Sequence, residues 1–185
     1  ALPRIPLSIE KPKESNDINI GGTLNALIAS RDAGVKKFIY AASSSAMGSN
    51  AKLPMREDAL CQPLNPYALQ KYAGELYCKI FYDIYGLKTV SLRYFNVYGP
   101  RQPREGAYMP VIGIFLTQKS QGKLLTVTGD GEQTRDFTHV YDVVRANVLA
   151  MESDKAGKGE VINIGGGRNH SINAIAKLVG GEISH

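Results

Sequence analysis

The stretch Lys37-Phe38-Ile39-Tyr40-Ala41-Ala42 is apolar after its first residue and runs directly into Ser43-Ser44-Ser45. A short apolar run that stops at polar residues is typical of a buried strand in a parallel sheet. Further along, Asn65 and Pro66 are residue types favoured just before a helix and at its first position. These signals predict a strand over residues 37–42 and, after a loop, a helix that ends at Gly86.

The rest of the chain alternates in the same way, which predicts an α/β fold with a mainly parallel sheet. The predicted helices cover residues 15–33, 66–85, 110–121, 140–153 and 171–179. The further predicted strands cover residues 88–93, 124–128 and 160–164. In the helix over 66–85, helical spacing places these apolar residues in one stripe: Leu69, Tyr72, Ala73, Leu76, Ile80 and Ile84.

Composition excludes several classes of protein. The 185 residues are 43% hydrophobic and 21% charged, which is ordinary for a globular domain and unlike a disordered chain. No apolar run approaches the roughly 18 residues of a membrane span, and the first residues lack the pattern of a signal peptide. We therefore expect no membrane partner.

Charge and cysteine content narrow the classes further. The 22 basic residues exceed the 17 acidic ones by 5 and are scattered along the chain. Without a basic stripe we expect no nucleic-acid partner, and a small anionic ligand would explain the same excess. Cys61 and Cys78 are too few for a disulfide framework or a zinc site. We therefore expect no metal and a reduced, cytoplasmic setting.

Three residue types suited to alcohol chemistry lie at the end of the first predicted strand and at the start of the helix over 66–85. Tyr67 and Lys71 are four residues apart, so both side chains lie on one face of a helix. A neighbouring ammonium lowers the pKa of a tyrosine, and a serine hydroxyl at the strand end can share a proton with a substrate hydroxyl. Each feature alone is common on protein surfaces, but together and in this order they predict proton transfer to or from an alcohol.

These motifs resemble those of the extended short-chain dehydrogenase/reductases, and the resemblance covers nearly the whole chain. Besides the Ser/Tyr/Lys set, three segments match in order: Arg93-Tyr94-Phe95-Asn96-Val97-Tyr98-Gly99-Pro100-Arg101, Gly129-Asp130-Gly131-Glu132-Gln133-Thr134-Arg135-Asp136-Phe137-Thr138-His139-Val140 and Val161-Ile162-Asn163-Ile164-Gly165. Within this family the chain is most similar to nucleotide-sugar 4-epimerases acting on UDP-hexoses and UDP-N-acetylhexosamines.

The resemblance implies a Rossmann-like parallel sheet, of which this chain holds the later part, with part of a smaller α/β substrate domain. Residues 1–100 would belong to the NAD-binding domain, with segments near 124–150 returning to it. Residues 101–185 would belong largely to a truncated domain for the nucleotide-sugar substrate. NAD is the implied cofactor, and a UDP-sugar is the implied substrate.

The resemblance also implies roles for individual residues. Tyr67 matches the catalytic acid/base, which also contacts the cofactor, and Lys71 matches the residue that binds the nicotinamide ribose and lowers the pKa of the tyrosine. Ser43 matches the catalytic Ser or Thr, which also contacts the substrate, and Ser44 is the near alternative. The remaining matches are Asn19 and Tyr94 for the cofactor, and Asn96, Ala107, Tyr108 and Arg135 for the substrate.

The residues after Ser43 favour one reaction over its rivals. By the family resemblance, dehydratases carry Asp-Glu at the positions of Ser44 and Ser45, and decarboxylases carry a nearby Glu. Those reactions need an additional acid and base, which two serines do not supply. A 4-epimerase needs only the Ser/Tyr/Lys set and a tightly held NAD, which takes hydride from C4 and returns it to the other face of a 4-keto sugar. The alternatives are a reductase or dehydratase of the same fold, and a non-catalytic remnant or binding module.

The glycine-rich turn that holds a dinucleotide pyrophosphate is missing from the sequence. Gly129-Asp130-Gly131 lacks the third glycine, and no other segment fits. We therefore expect this chain to be the middle and later part of a larger enzyme, with negligible NAD affinity and no activity alone. The resemblance further implies a homodimer through helices 15–33 and 66–85.

Overall fold

The structure is a computed structural model that describes residues 1–49, 53–103 and 109–184. They form two compact units. The first unit consists of Ala1–Tyr94 and Val144–Ile164, and the second of Phe95–Val143 and Gly165–His185. In the part of the chain that is described, no helix is long and apolar enough to cross a membrane.

A three-stranded parallel sheet lies at the centre of the first unit. It consists of β1 (Phe38–Ser43), β2 (Thr89–Tyr94) and β7 (Lys158–Ile164), in the spatial order β1-β2-β7. The strands that the sequence predicts over 37–42, 88–93 and 160–164 are therefore confirmed within two residues. Their register aligns Ser43 with Tyr94 and Tyr94 with Ile164, so the three carboxyl ends are level.

Helices of the first unit follow the prediction with one difference. The helix predicted over 15–33 is built from α2 (Pro12–Asn16), one π turn (Asp17–Gly21) and α3 (Gly22–Asp32), and a short α1 (Ile5–Glu10) precedes it. A π turn closes one residue later than an α turn, and nothing in apolar spacing announces it. The last helix that contributes to the first unit is α6 (Val140–Glu152), which begins in the second unit and continues into the first.

Helix α4 (Pro66–Tyr85) carries two different faces. Asn65 caps it, because its Oδ1 accepts a hydrogen bond from the backbone N–H of Ala68 at 2.9 Å. Gly86 ends it in the left-handed conformation, at φ 69°. The inner face packs against β1, whereas four members of the predicted apolar stripe are 43–68% exposed on the outer face: Leu69, Leu76, Ile80 and Ile84.

Among its described residues, the second unit contains two complete helices, the start of α6 and short strands around an apolar core. Its complete helices are α5 (Val111–Ser120) and α7 (Ile172–Val179). Its strands pair two by two: β3 (Val97–Tyr98) with β6 (Thr138–His139), β4 (Leu125–Thr126) with β9 (Ile183–Ser184), and β5 (Thr134–Asp136) with β8 (Asn169–Ser171). The buried core residues are Phe115, Leu125, Val127, Ile172, Ile175 and Ala176.

Candidate active site

The carboxyl end of β1 holds the serine triplet in a fixed arrangement. Ser43 is the last residue of the strand and caps the 3₁₀ turn Ser44–Met47. Its Oγ accepts a hydrogen bond from the backbone N–H of Ser45 at 3.2 Å and donates one to the Ser45 Oγ at 3.1 Å. Ser43 belongs to the strand, whereas Ser44 and Ser45 lie in the turn. The Ser43 hydroxyl is therefore held at the carboxyl end of β1.

Lys71 lies on the inner face of α4 and points at the same strand. Its side chain is 6% exposed, its Nζ donates to the carbonyl oxygen of Ala41 at 2.8 Å, and it lies 5.1 Å from the ring centroid of Tyr40. Burial lowers the pKa of Lys71, and the negative charge of Glu75 opposes that shift. An ammonium has three N–H donors, so the bond to Ala41 leaves donors for a ligand.

Tyr67 begins the same helix face one turn earlier. It is buried, and its backbone N–H donates to the Oγ of Ser8 at 3.1 Å, which ties the first turn of α4 to α1. Helix α4 packs against both β1 and the Ser44–Met47 turn. The structure therefore brings Tyr67 and Lys71 onto one buried face beside the strand that ends at Ser43.

A buried ion pair that the sequence analysis did not single out supports this face. Arg93 of β2 and Glu75 of α4 are 3% and 2% exposed. The Arg93 Nε and Nη2 atoms donate to the Glu75 carboxylate at 2.9 and 2.7 Å, and Nη2 also donates to Cys61 Sγ at 3.0 Å. Glu75 follows Lys71 by one turn. An arginine inside an otherwise uncharged strand was the signal that could have revealed the pair.

Asn19 and Tyr94, the other two residues matched to the cofactor, lie in different surroundings. Asn19 is 1% exposed; its Oδ1 accepts from the backbone N–H of Leu2 at 2.6 Å and its Nδ2 donates to Gln70 Oε1 at 2.7 Å. These bonds tie the π turn to α4 and to the start of the chain. Tyr94 ends β2 beside Ser43, and its hydroxyl bonds to the amide of Asn147. The roles of both residues at the cofactor stay predictions.

In the second unit, Asn96 and Arg135 line a cavity of about 420 Å³. Its lining combines apolar residues such as Phe137 and Ile172 with several polar ones, and small-molecule sites combine both kinds of side chain. Ala107 and Tyr108, the other residues matched to the substrate, lie outside the described residues. Within the described ranges, no three His, Cys, Asp or Glu side chains are grouped as a metal site.

These observations define a Rossmann-like α/β protein with serine, tyrosine and lysine at the carboxyl end of its parallel sheet. A model of the NAD dependent epimerase/dehydratase family matches residues 1–165. The chain belongs to this family, whose cofactor is NAD.

Individual relatives are sugar-nucleotide enzymes. The UDP-N-acetylglucosamine 4-epimerase of Methanobrevibacter ruminantium, solved with UDP-N-acetylmuramic acid, superposes with a TM-score of 0.92 at 40% identity, over 96% of this chain and 56% of that one. The UDP-glucose 4-epimerase of Thermotoga maritima, solved with UDP-glucose, gives 0.91 at 42% identity, over 97% and 57%. The UDP-glucuronate 4-epimerase of Thermodesulfobacterium geofontis is 39% identical over 176 residues, which are 93% of this chain and 51% of that protein.

The matches also show the limits of the likeness. The chain spans about half the length of the curated relatives it matches. Other relatives are named as a decarboxylase and a dehydratase. Membership of the family is therefore established, while the reaction and the sugar belong to a proposal.

Proposed function

We propose that the full-length protein is an NAD-dependent UDP-sugar 4-epimerase. The observation that supports this most is the strand-end turn, where Ser44 and Ser45 follow Ser43 and present hydroxyls only. Elimination of water or of carbon dioxide would call for an additional acid or base there. Epimerisation at C4 needs one proton acceptor beside one hydroxyl, which Tyr67 and Ser43 supply.

The residues present suit the nicotinamide end of the cofactor. Lys71 retains donors beyond its bond to Ala41, so its ammonium can hold the two hydroxyls of a ribose. NAD, when bound, accepts the hydride from C4 of the sugar and returns it. The glycine turn for the pyrophosphate is not in this sequence, so the 185 residues alone are proposed to be inactive.

The proton chemistry follows from the buried helix face. Tyr67 takes the proton of the C4 hydroxyl and gives it back after the sugar has turned, so no net proton is consumed. The Lys71 ammonium stabilises the phenolate form, because an opposite charge favours the ionised state of a neighbour. Ser43 hydrogen-bonds the same sugar oxygen and holds it in place during the transfer.

The substrate's nucleotide is proposed to bind in the cavity of the second unit. Arg135 presents a planar guanidinium that can bind a diphosphate with two parallel hydrogen bonds. Asn96 lines the same cavity and brings a second polar side chain to it. The apolar lining suits the flat face of a uracil ring, which makes a UDP-sugar a better fit than a free sugar.

Product analysis tests the proposal directly. The full-length protein, incubated separately with UDP-glucose and UDP-N-acetylglucosamine, is expected to produce the matching C4 epimer without net consumption of NADH. Net oxidation of NADH would indicate a reductase, and a product lighter by one water would indicate a dehydratase. Failure to form a C4 epimer from any UDP-sugar would contradict the proposal, and failure of every reaction would favour the non-catalytic remnant.

A second copy of the protein is the proposed partner. Leu69, Leu76, Ile80 and Ile84 form a single exposed apolar stripe along α4, and exposed apolar stripes of this kind mark interfaces. The same helix is the one through which the family resemblance implies a dimer. We therefore propose a homodimer in which α4 and the helical segment that ends with α3 pack against their copies.

The variant Ile80→Arg tests the dimer. A charge in the centre of the stripe would be desolvated in the dimer, so the protein is expected to sediment as a monomer. Leu116→Arg is the matched control, since Leu116 and Ile80 are each 43% exposed and Leu116 lies on α5, which is no part of the proposed interface. A dimer of unchanged stability in Ile80→Arg at micromolar concentration would refute the interface.

A further inference from the structure

Asp136 occupies a position that neither the motif nor the cavity explains. It is the last residue of β5, directly after Arg135. Its carboxylate accepts the backbone N–H groups of Gly166 and Gly167 at 2.7 and 2.8 Å. Charge-assisted bonds of this length are stronger than those between neutral groups, so Asp136 firmly anchors the turn between β7 and β8.

The glycine turn is shaped around this carboxylate. A Cβ on Gly165 would lie 2.8 Å from Asp136 Oδ2, and one on Gly166 would lie 3.0 Å from Oδ1. Gly167 has a φ of +73°, which side chains disfavour. A run of three glycines invites interpretation as an anion-binding turn. Here two of its N–H groups already bind the carboxylate of Asp136, so these two groups are not available to a phosphate.

The backbone of Asp136 reaches the other candidate substrate residue. Its carbonyl oxygen accepts the Nδ2 of Asn96 at 2.8 Å, and Asn96 itself is held at a φ of +27°. The backbone N–H of Thr138 donates to the Asn96 carbonyl at 3.3 Å. Asp136 thus links the two candidate substrate residues: its carbonyl oxygen is hydrogen-bonded to Asn96, and its backbone nitrogen forms the peptide bond with Arg135.

The position of Arg135 depends on the pairing of its strand, β5, with β8, the strand that follows the glycine turn. Strands β5 and β8 pair with Arg135 opposite His170 and Asp136 opposite Asn169. Three-residue strands in a two-stranded pair are marginally stable by themselves. The two bonds from Asp136 to the glycine turn fix where β8 begins, and the pairing transmits that position to the backbone of Arg135.

We propose that Asp136 is a positioning residue for diphosphate binding, acting through Arg135. The inference rests on the proposed function, because it takes the UDP moiety as the ligand of this cavity. Asp136 does not touch the ligand. It holds the guanidinium-bearing strand in place and fills the glycine turn, so that the diphosphate is bound by Arg135.

Binding of UDP and of uridine to the full-length protein separates the two parts of the site. In Asp136→Asn the carbonyl bond to Asn96 remains, while the charge and one of the two carboxylate acceptors are lost. UDP affinity measured by calorimetry is expected to fall about 10- to 100-fold, because a small misplacement of a charged ligand-binding group has effects of this size. Uridine affinity is expected to stay unchanged, since uridine carries no phosphate.

A double-mutant cycle with Arg135→Met provides the readout that a merely structural role would not produce. If Asp136 acts through Arg135, Asp136→Asn is expected to change UDP affinity less than about twofold once Arg135 is replaced. Full additivity of the two losses would overturn the proposal. Asp130→Asn is the matched control, because Asp130 lies in the same motif and its Oδ1 accepts the N–H of Glu132 at 3.0 Å; it should bind UDP normally.

A second variant covers the case in which Asp136→Asn does not fold. Gly165→Ala keeps the charge but displaces the carboxylate, and it is expected to weaken UDP binding while sparing uridine. Equal losses for UDP and uridine in either folded variant would overturn the positioning role. If the unmodified protein binds UDP and both variants match it, the inference fails alone. If the unmodified protein does not bind UDP, the proposed function fails with it.

Discussion

The variant Tyr67→Phe of the full-length protein is expected to lose epimerase turnover by a factor of about 10²–10⁴, the usual contribution of a general acid/base. The phenol is the proposed proton acceptor for the C4 hydroxyl, and phenylalanine keeps the buried ring while removing the group that accepts the proton. UDP affinity and thermal unfolding should stay close to those of the unmodified protein. The measurement is kcat with a UDP-hexose, and UDP affinity and thermal unfolding are measured on the same variant as controls.

Helix α4 offers a matched control for this prediction. Tyr82 is a tyrosine of the same helix, and its ring lies against the ammonium of Lys79, 5.5 Å from centroid to nitrogen. Tyr82→Phe removes a hydroxyl from the same element and should leave kcat unchanged. Normal turnover in Tyr67→Phe, or an equal loss in both variants, would remove Tyr67 from the proton-transfer step.

The sequence predicted elements whose own residues carry a periodic signal. Helix α4, with Asn65 and Gly86 at its ends, and the strands that pair around Ser43 are such elements. Strand β4 (Leu125–Thr126) lies inside the strand predicted over 124–128, whereas the two-residue strands β3 and β6 are too short for any period to be visible. Their existence depends on partners distant in the chain, which a single sequence does not specify.

The candidate site also contains residues with a local sequence signal and contacts between residues distant in the chain. Residue type and spacing single out Tyr67, Lys71 and Ser43 in the sequence, and their catalytic roles stay predictions. The bonds of Asp136 to Gly166 and Gly167 join residues some 30 positions apart, and no local pattern predicts such contacts. The hydrogen bonds of the Asn19 amide to Leu2 and Gln70 likewise join distant parts of the chain, and the role of Asn19 at the cofactor stays a prediction.

Glu75→Gln is expected to lower the free energy of unfolding by about 3–5 kcal/mol, because removal of one partner leaves a buried charge uncompensated. Glutamine keeps the shape of the side chain, so the loss reflects the Arg93 guanidinium, which is 3% exposed. Urea unfolding of the full-length protein measures it. Asp83→Asn is the matched control on the same helix: Asp83 pairs with Lys79, both side chains are about half exposed, and the expected change is below about 0.5 kcal/mol.

Replacement of both Glu75 and Arg93 separates the contribution of Glu75 to stability from its effect on the pKa of Lys71. Apolar side chains of similar volume can replace a buried ion pair at little cost, so Glu75→Leu with Arg93→Met should regain most of the lost stability. The negative charge that raises the pKa of Lys71 is then absent, and burial lowers that pKa without opposition. Lys71 therefore loses its proton at lower pH than in the unmodified protein, and the basic limb of the kcat profile should move to lower pH. A stable double variant with an unchanged profile would show that Glu75 supports the fold without acting on Lys71.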